Sequence, residues 1–401
     1  MLETFAIRGR YGEHLCVVYD VLREPLDECQ RRLPNKLFKS EHLRILLRSL
    51  LQGLDYMHSE CHVVHTDLKP DNVMMGLGPD PNAVLDKFVG YTMSHPPPRK
   101  PPEHHDQHTI YKSSSDLLLV EGTENSDCID ESVLVSAKIT DIGLAEWGDK
   151  GPQHKAIQTN AFTCPEVLLG AGWSYPADIW NLGVMMWDMI KYDGLFDDID
   201  TSPGHYKGEQ HLALMIVLMG PPPKALLDRG LKTSKYFDYD KEKDEWVFRN
   251  QKYVEKYQDC VSWEKSIKRM TGNNKTSFID FARKMICWEP AERWTAAQLL
   301  THPWLQKAAG SVVTTPQDYA SAKEKIREGI EEDIKLGLSR ASTTASFVSS
   351  PGISEIPTTG SSRYGSDSPP VPGIVYRKTD SCLDMADLRP RLPRLTNQST
   401  Q

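Results

Sequence analysis

Residues 65 to 72 read His-Thr-Asp-Leu-Lys-Pro-Asp-Asn, and an aspartate, a lysine and an asparagine at this spacing are suited to phosphoryl transfer. In that chemistry Asp67 accepts the proton of the attacking hydroxyl, Lys69 neutralises charge on the migrating phosphoryl group, and Asn72 holds one magnesium ion. A second metal ligand is expected downstream, on a strand that runs into a glycine, and Lys138-Ile139-Thr140-Asp141-Ile142-Gly143 offers Asp141. Alone, an Asp-x-Gly is more often a turn; here it follows the octapeptide in the required order. Ile142 is read as an apolar plug under the site. The plain alternative for 65–72, a polar turn after a helix, is disfavoured by so specific a string.

The elements that must hold these residues are legible from periodicity. Leu43, Leu46, Leu47, Leu50, Leu51, Leu54 and Met57 recur at three- and four-residue steps just before the loop, which predicts an amphipathic helix whose stripe is core. Asp178 to Ile190 is apolar nearly all round and predicts a buried helix. His211 to Met219 predicts another, stopped by Gly220 and the three prolines behind it. The start, Phe5 to Leu22, reads as a hairpin around Gly9 to Gly12.

Further stretches carry a resemblance. Thr159 to Glu166 ends in Cys-Pro-Glu, Asp178-Ile-Trp180 follows, and Trp288-Glu-Pro-Ala-Glu-Arg293 comes later. Thr66 stands second in the octapeptide, a long spacer separates Asn72 from Asp141, and Ile157-Gln-Thr159, Ala171-Gly-Trp-Ser-Tyr-Pro-Ala-Asp-Ile-Trp180 and Gly220-Pro-Pro-Pro223 complete the set. In this order the motifs resemble those of protein kinases, and more narrowly the SR-protein kinases that phosphorylate arginine-serine-rich splicing factors, especially the fungal branch. Asn160, Thr163 and Cys164 depart from that pattern. The resemblance covers residues 1–306. It implies an α+β, protein-kinase-like fold with a mostly helical large lobe and only a remnant of the small β lobe, residues 1–22, with 76–136 as a spacer insert.

What the resemblance implies about the site follows from those positions. His65, Thr159, Glu166, Asp178 and Arg293 become structural supports, with Arg293 the buried partner of Glu166 and Asp178 the brace of the catalytic loop. The backbone of Asp20 and Leu22, with Met74 as floor and Tyr19 guarding the back, would take adenine, so ATP and Mg2+ are the expected cofactors. Asp193, Asp197, Asp198, Asp200 and Glu209 would form a docking patch for basic arginine-serine-rich proteins; a solvated acidic loop is the bland alternative. Thr66 replaces an arginine that usually needs a phosphate partner, so activity is expected without phosphorylation of the segment between Asp141 and Glu166. The glycine-rich phosphate cover and the strand lysine–helix glutamate pair do not occur in the chain, so weak ATP binding is expected. A kinase-derived binding protein without catalysis, a pseudokinase, is therefore the alternative.

Composition fits this reading. The 401 residues carry a net charge of −8, and residues 1–306 hold 35 Lys+Arg against 44 Asp+Glu, a balance that favours basic partners and disfavours direct nucleic-acid binding. Eight cysteines without CxxC spacing point to reduced thiols and a cytoplasmic or nuclear location. No apolar run suits a membrane span, and a monomer is expected. His104, His105 and His108 read as part of an exposed loop rather than a metal site. Residues 307–401 are rich in Ser, Thr and Pro and are expected to be disordered, with Ser350-Pro351 and Ser368-Pro369 as modification candidates and Ala322, Ile326, Ile330 and Ile334 suggesting a short helix over Tyr319 to Leu336.

Overall fold

The computed structural model describes residues 3–9, 12–100, 110–111, 129–191, 194–196, 199 and 204–306, with Ser321 and Glu324. Strands β1 (Glu3–Gly9) and β2 (Gly12–Val18) form the expected antiparallel hairpin, in register from Glu3↔Val18 to Gly9↔Gly12. Both of its faces are open, and Leu15 is 75% exposed. Behind it come α1 (Leu26–Arg32) and α2 (Ser40–Ser59). In α2 the six leucines of the stripe, Leu43 to Leu54, are fully buried, which confirms the periodicity. Leaving α2, the chain turns at His62 (φ 53°) into β3 (Val63–Val64), passes the catalytic loop, and reaches β4 (Val73–Met74).

The spacer is more structured than a loop. It contains α3 (Pro81–Ser94), the strand pair β5 (Arg99–Lys100) and β6 (Ile110–Tyr111), and α4 (Glu131–Val135). Helix α3 starts where Asp80 accepts a hydrogen bond from the Ala83 N–H at 3.0 Å and Pro81 occupies the first turn, a start signal present in the sequence. The three histidines of the spacer lie outside the described residues, as does the tail beyond 306 apart from Ser321 and Glu324. Next come β7 (Lys138–Ile139), paired with β4, and β8 (Glu146–Trp147), paired with β3.

The remaining elements build the large lobe: α5 (Pro165–Leu169), α6 (Pro176–Ile190), α7 (Gly208–Met219), α8 (Lys224–Asp228) and α9 (Thr233–Tyr236), then the hairpin β9 (Phe237–Asp240) and β10 (Glu245–Phe248), then α10 (Gln251–Tyr257), α11 (Gly272–Arg283), α12 (Ala296–Leu300) and α13 (Pro303–Gln306). Helix α6 is the centre of the core. Thirteen of its fifteen residues are buried, which explains its all-round apolar sequence. Gly183 permits this packing, because a Cβ there would come within 2.8 Å of Ile286. Trp187 packs edge-on to Trp263 at 5.6 Å, and Phe278 meets Trp304 at 5.0 Å. No helix among the described residues is long and apolar enough to cross a membrane.

Candidate active site

The catalytic loop hangs between α2 and α6. At the start of α6 the fully buried Asp178 carboxylate accepts three hydrogen bonds: Oδ2 from the His65 N–H at 2.7 Å and from His58 Nε2 at 2.8 Å, Oδ1 from the Thr66 N–H at 2.9 Å. Charge-assisted bonds of this kind are the strong ones, and they hold Thr66 at φ 72°, a left-handed conformation that is costly for a β-branched residue. His65 Nδ1 accepts from the Asp67 N–H at 3.2 Å, so its proton sits on Nε2, which donates to the Thr140 carbonyl at 2.9 Å. Asp67 is thereby fixed. Lys69 Nζ donates to Asp67 Oδ2 at 2.6 Å, and Asn72 Nδ2 donates to the Asp67 carbonyl at 2.8 Å and to Oδ2 at 3.2 Å.

The metal side is set by backbone register. Val73 pairs with Ile139, and the Asn72 carbonyl accepts from both the Thr140 N–H at 2.9 Å and its hydroxyl at 3.1 Å, which brings Asp141 beside Asn72. Asp141 is left-handed (φ 62°) and exposed, and its carboxylate accepts no hydrogen bond from a described residue. Asn72 spends its amide nitrogen on Asp67 and leaves Oδ1 free. Two oxygen ligands suit magnesium, which keeps several waters and takes the rest of its shell from phosphates. No cluster of three or more acidic, His or Cys ligands exists among the described residues, so the residues fit a substrate-completed metal rather than a protein cage.

Ile142 corrects the sequence reading. It is 59% exposed, not a plug, because the left-handed Asp141 starts a 3-10 turn over Ile142–Leu144 that sends its side chain outward. The turn is tied instead by the Thr66 hydroxyl, which donates to the Leu144 carbonyl at 2.9 Å. Tyr19 is 62% exposed and guards no closed back pocket among the described residues. The hinge lies along β4, with the Arg23 N–H donating to the Met75 carbonyl at 2.8 Å and the Met75 N–H to Glu24 at 3.0 Å. Asp20 is exposed, and Leu22 and Met74 are half-buried.

Beyond Asp141, the segment is anchored by backbone and side-chain amide hydrogen bonds. Gln153 and Trp173 exchange backbone hydrogen bonds at 3.0 and 2.9 Å. The Gln158 amide donates to the Ala177 carbonyl and to Asn181 Oδ1, both at 3.1 Å, and accepts from the Cys164 N–H at 2.8 Å. Thr159 supports the segment through its carbonyl, which accepts from the Thr163 hydroxyl at 3.2 Å; its own hydroxyl bonds neither Asp67 nor Lys69. Glu166 and Arg293 form the expected fully buried bidentate pair at 2.6 and 2.7 Å. Burial by itself would lower the Arg293 pKa, but the Glu166 charge outweighs it and raises it. Burial pushes the neighbouring Cys164 thiol well up. Of the acidic patch, Glu209 lies half-buried in the first turn of α7, while Asp193, Asp197, Asp198 and Asp200 lie outside the described residues.

The protein kinase domain family matches residues 6–80 and 118–305. The chain belongs to the protein kinase family. A serine/threonine protein kinase of Aspergillus fumigatus is 33% identical over 305 residues, covering 76% of this chain and 68% of the relative. The serine/threonine-protein kinase SRPK of Physarum polycephalum is 29% identical over 314 residues, covering 76% and 70%. A solved kinase-domain crystal structure superposes with a TM-score of 0.50 at 22% identity over 76% of this chain and 77% of that one, which speaks for the fold alone. The chain is thus a protein serine/threonine kinase, and the non-catalytic alternative is not favoured.

Two supporting residues escaped the sequence reading. His58 continues the Leu50–Leu54 stripe by four residues, so a polar residue on a core face was the available signal. Gln158 offered none beyond its place in Ile157-Gln-Thr159, since its role depends on a left-handed backbone (φ 70°).

Proposed function

We propose that this kinase uses ATP and Mg2+ to phosphorylate serine or threonine in basic, arginine-serine-rich proteins, acting as a monomer in the cytoplasm or nucleus. When bound, ATP and the metal supply the phosphoryl group and part of the charge that stabilises its transfer. Asp67 orients the acceptor hydroxyl and takes its proton, and Lys69, already on Asp67 Oδ2, holds positive charge where the phosphoryl passes. Asn72 Oδ1 and the Asp141 carboxylate would hold the metal. The Thr66–Leu144 bond supports a site that is assembled without an activating phosphate.

The observation that carries the substrate reading is charge: residues 1–306 hold 35 basic against 44 acidic side chains, and such an excess draws in cationic peptides. The relative named SRPK agrees with it. The test compares an arginine-serine repeat peptide with the same peptide carrying glutamine for arginine. The basic peptide should show the lower KM, and its advantage should shrink as salt rises through the range where the Debye length falls below about 10 Å. Asp197→Lys with Asp198→Lys should raise the KM of the basic peptide alone. Equal KM values for the two peptides would refute the substrate assignment and leave the chemistry standing.

A further inference from the structure

The hinge ends in two charged residues, Arg23 and Glu24, that are both buried, although a charge is costly to bury unless it is paired. Glu24 is paired with Arg32, in the last turn of α1. Its Oε1 accepts from Arg32 Nη2 and its Oε2 from Arg32 Nε at 3.1 Å, and the Glu24 side chain keeps 1% of its surface where Arg32 keeps 17%. Burying such a pair adds little stability over apolar side chains of the same size. What a two-pronged guanidinium–carboxylate contact supplies is geometry, because it fixes both distance and plane.

Both ends of the pair lead to the active site. On the Glu24 side the main chain lies along β4: the Glu24 carbonyl accepts from the Met75 N–H, and Pro25 is bridged to Met74. Strand β4 begins directly after Asn72 and pairs with β7, which leads to Asp141. On the Arg32 side, α1 is seated on the large lobe. It packs against residues 70–72 of the catalytic loop, and Gln30 donates from Nε2 to the Asp188 carbonyl of α6, the helix whose Asp178 braces that loop. Hinge and catalytic loop are thus held to the same buried helix, one through Glu24, Arg32 and Gln30, the other through Asp178.

We propose that Glu24 and Arg32 are positioning residues for the nucleotide. The inference rests on the ATP reading above, with adenine on the backbone of Asp20 and Leu22 over Met74. A nucleotide that reaches from this hinge to a metal on Asn72 and Asp141 must find the two at one fixed spacing, and misplacement at either end is costly. The Glu24–Arg32 contact sets that spacing. Without it the hinge shifts on β4 and adenine loses its seat, while Asp67 and the metal oxygens stay where Asp178 and the β4–β7 pairing hold them.

The experiment uses the full chain and measures ATP affinity by calorimetry, with kcat and the KM values for ATP and for an arginine-serine peptide. Arg32→Ala should weaken ATP binding and raise its KM by about tenfold or more, the scale of a lost charge-assisted hydrogen bond, and leave the peptide KM and the kcat at saturating ATP at their wild-type values. Arg32→Lys, which keeps the charge but not the fork, should fall between the two. Because Arg32 reaches the surface, millimolar guanidinium should restore ATP affinity to Arg32→Ala and leave the wild type unchanged. A merely structural pair would give less folded enzyme, so a lower kcat with both KM values unmoved would overturn the proposal, as would an Arg32→Ala variant that binds ATP like the wild type. A wild type that binds no ATP would overturn the ATP reading itself, and the positioning role with it.

Discussion

Replacing Glu166 by alanine removes one half of the most deeply buried ion pair among the described residues. Both side chains of the Glu166–Arg293 pair have no exposed surface, and Arg293 is otherwise bonded only to the carbonyls of Cys287, at 3.2 Å, and Pro176, at 3.0 Å. Those carbonyls cannot neutralise a guanidinium. Breaking a buried pair from one side costs about 3 to 5 kcal/mol, and at about 2 to 4 °C per kcal/mol for a lobe of this size the melting temperature should fall by about 6 to 20 °C. Thermal melts followed by circular dichroism at neutral pH test this. The loss should be insensitive to salt, because the pair is shielded from solvent. Adding Arg293→Met should restore part of the stability, since the double variant no longer strands a buried charge, although the space left by the Glu166 side chain remains. A drop under about 2 °C, or a double variant worse than either single one, would refute the reasoning that this pair fastens the end of the activation segment to the large lobe.

Two further outcomes depend on pH. His211 is fully buried with Nδ1 on the Tyr206 hydroxyl at 2.9 Å, and burial depresses its pKa from 6.5 to about 3. Between those values the unfolded chain binds the proton and the folded one does not, so stability should fall as pH drops below 6.5, by about 2 kcal/mol from this group by pH 5. Urea titrations of wild type and His211→Phe at pH 7 and pH 5 should show the smaller acid loss in the variant; equal losses would contradict the assignment. Burial, and then the charge of Asp71, raises the Asp188 pKa from 3.8 to about 8, so here the folded state holds the proton and stability is lost as pH rises. Asp188→Asn should therefore stabilise the fold at pH 8, by up to about 5 kcal/mol, and the gain should vanish below pH 4; a gain that persists there would point to packing instead.

The chemistry of this molecule was more legible than its surroundings. Asp67, Lys69, Asn72 and Asp141 were readable because phosphoryl transfer demands those residue types in that order, and α2 and α6 were readable because burial imposes a period on the residues that carry them. The Glu166–Arg293 pair came from resemblance, as no local pattern joins residues 127 positions apart. Ile142 was misread because its direction depends on the left-handed Asp141, a backbone choice that residue types do not announce. Gln158 was invisible as a support for the same reason. Helix α3 was overlooked although Asp80-Pro81 marks its start, because none of its side chains is buried and its apolar residues therefore show no core-facing period.

The central claim is that Asp67 and Asp141 act together in phosphoryl transfer, one on the acceptor hydroxyl and one on the metal. Its most direct test is the rate of γ-phosphate transfer from labelled ATP, with magnesium, to an arginine-serine peptide, for wild type, Asp67→Ala and Asp141→Ala side by side. Each substitution should lower the rate by at least about 100-fold, the scale of losing one electrostatic element of a transition state, and the double variant should be little worse than either single one. Transfer by Asp67→Ala at the wild-type rate would contradict the account.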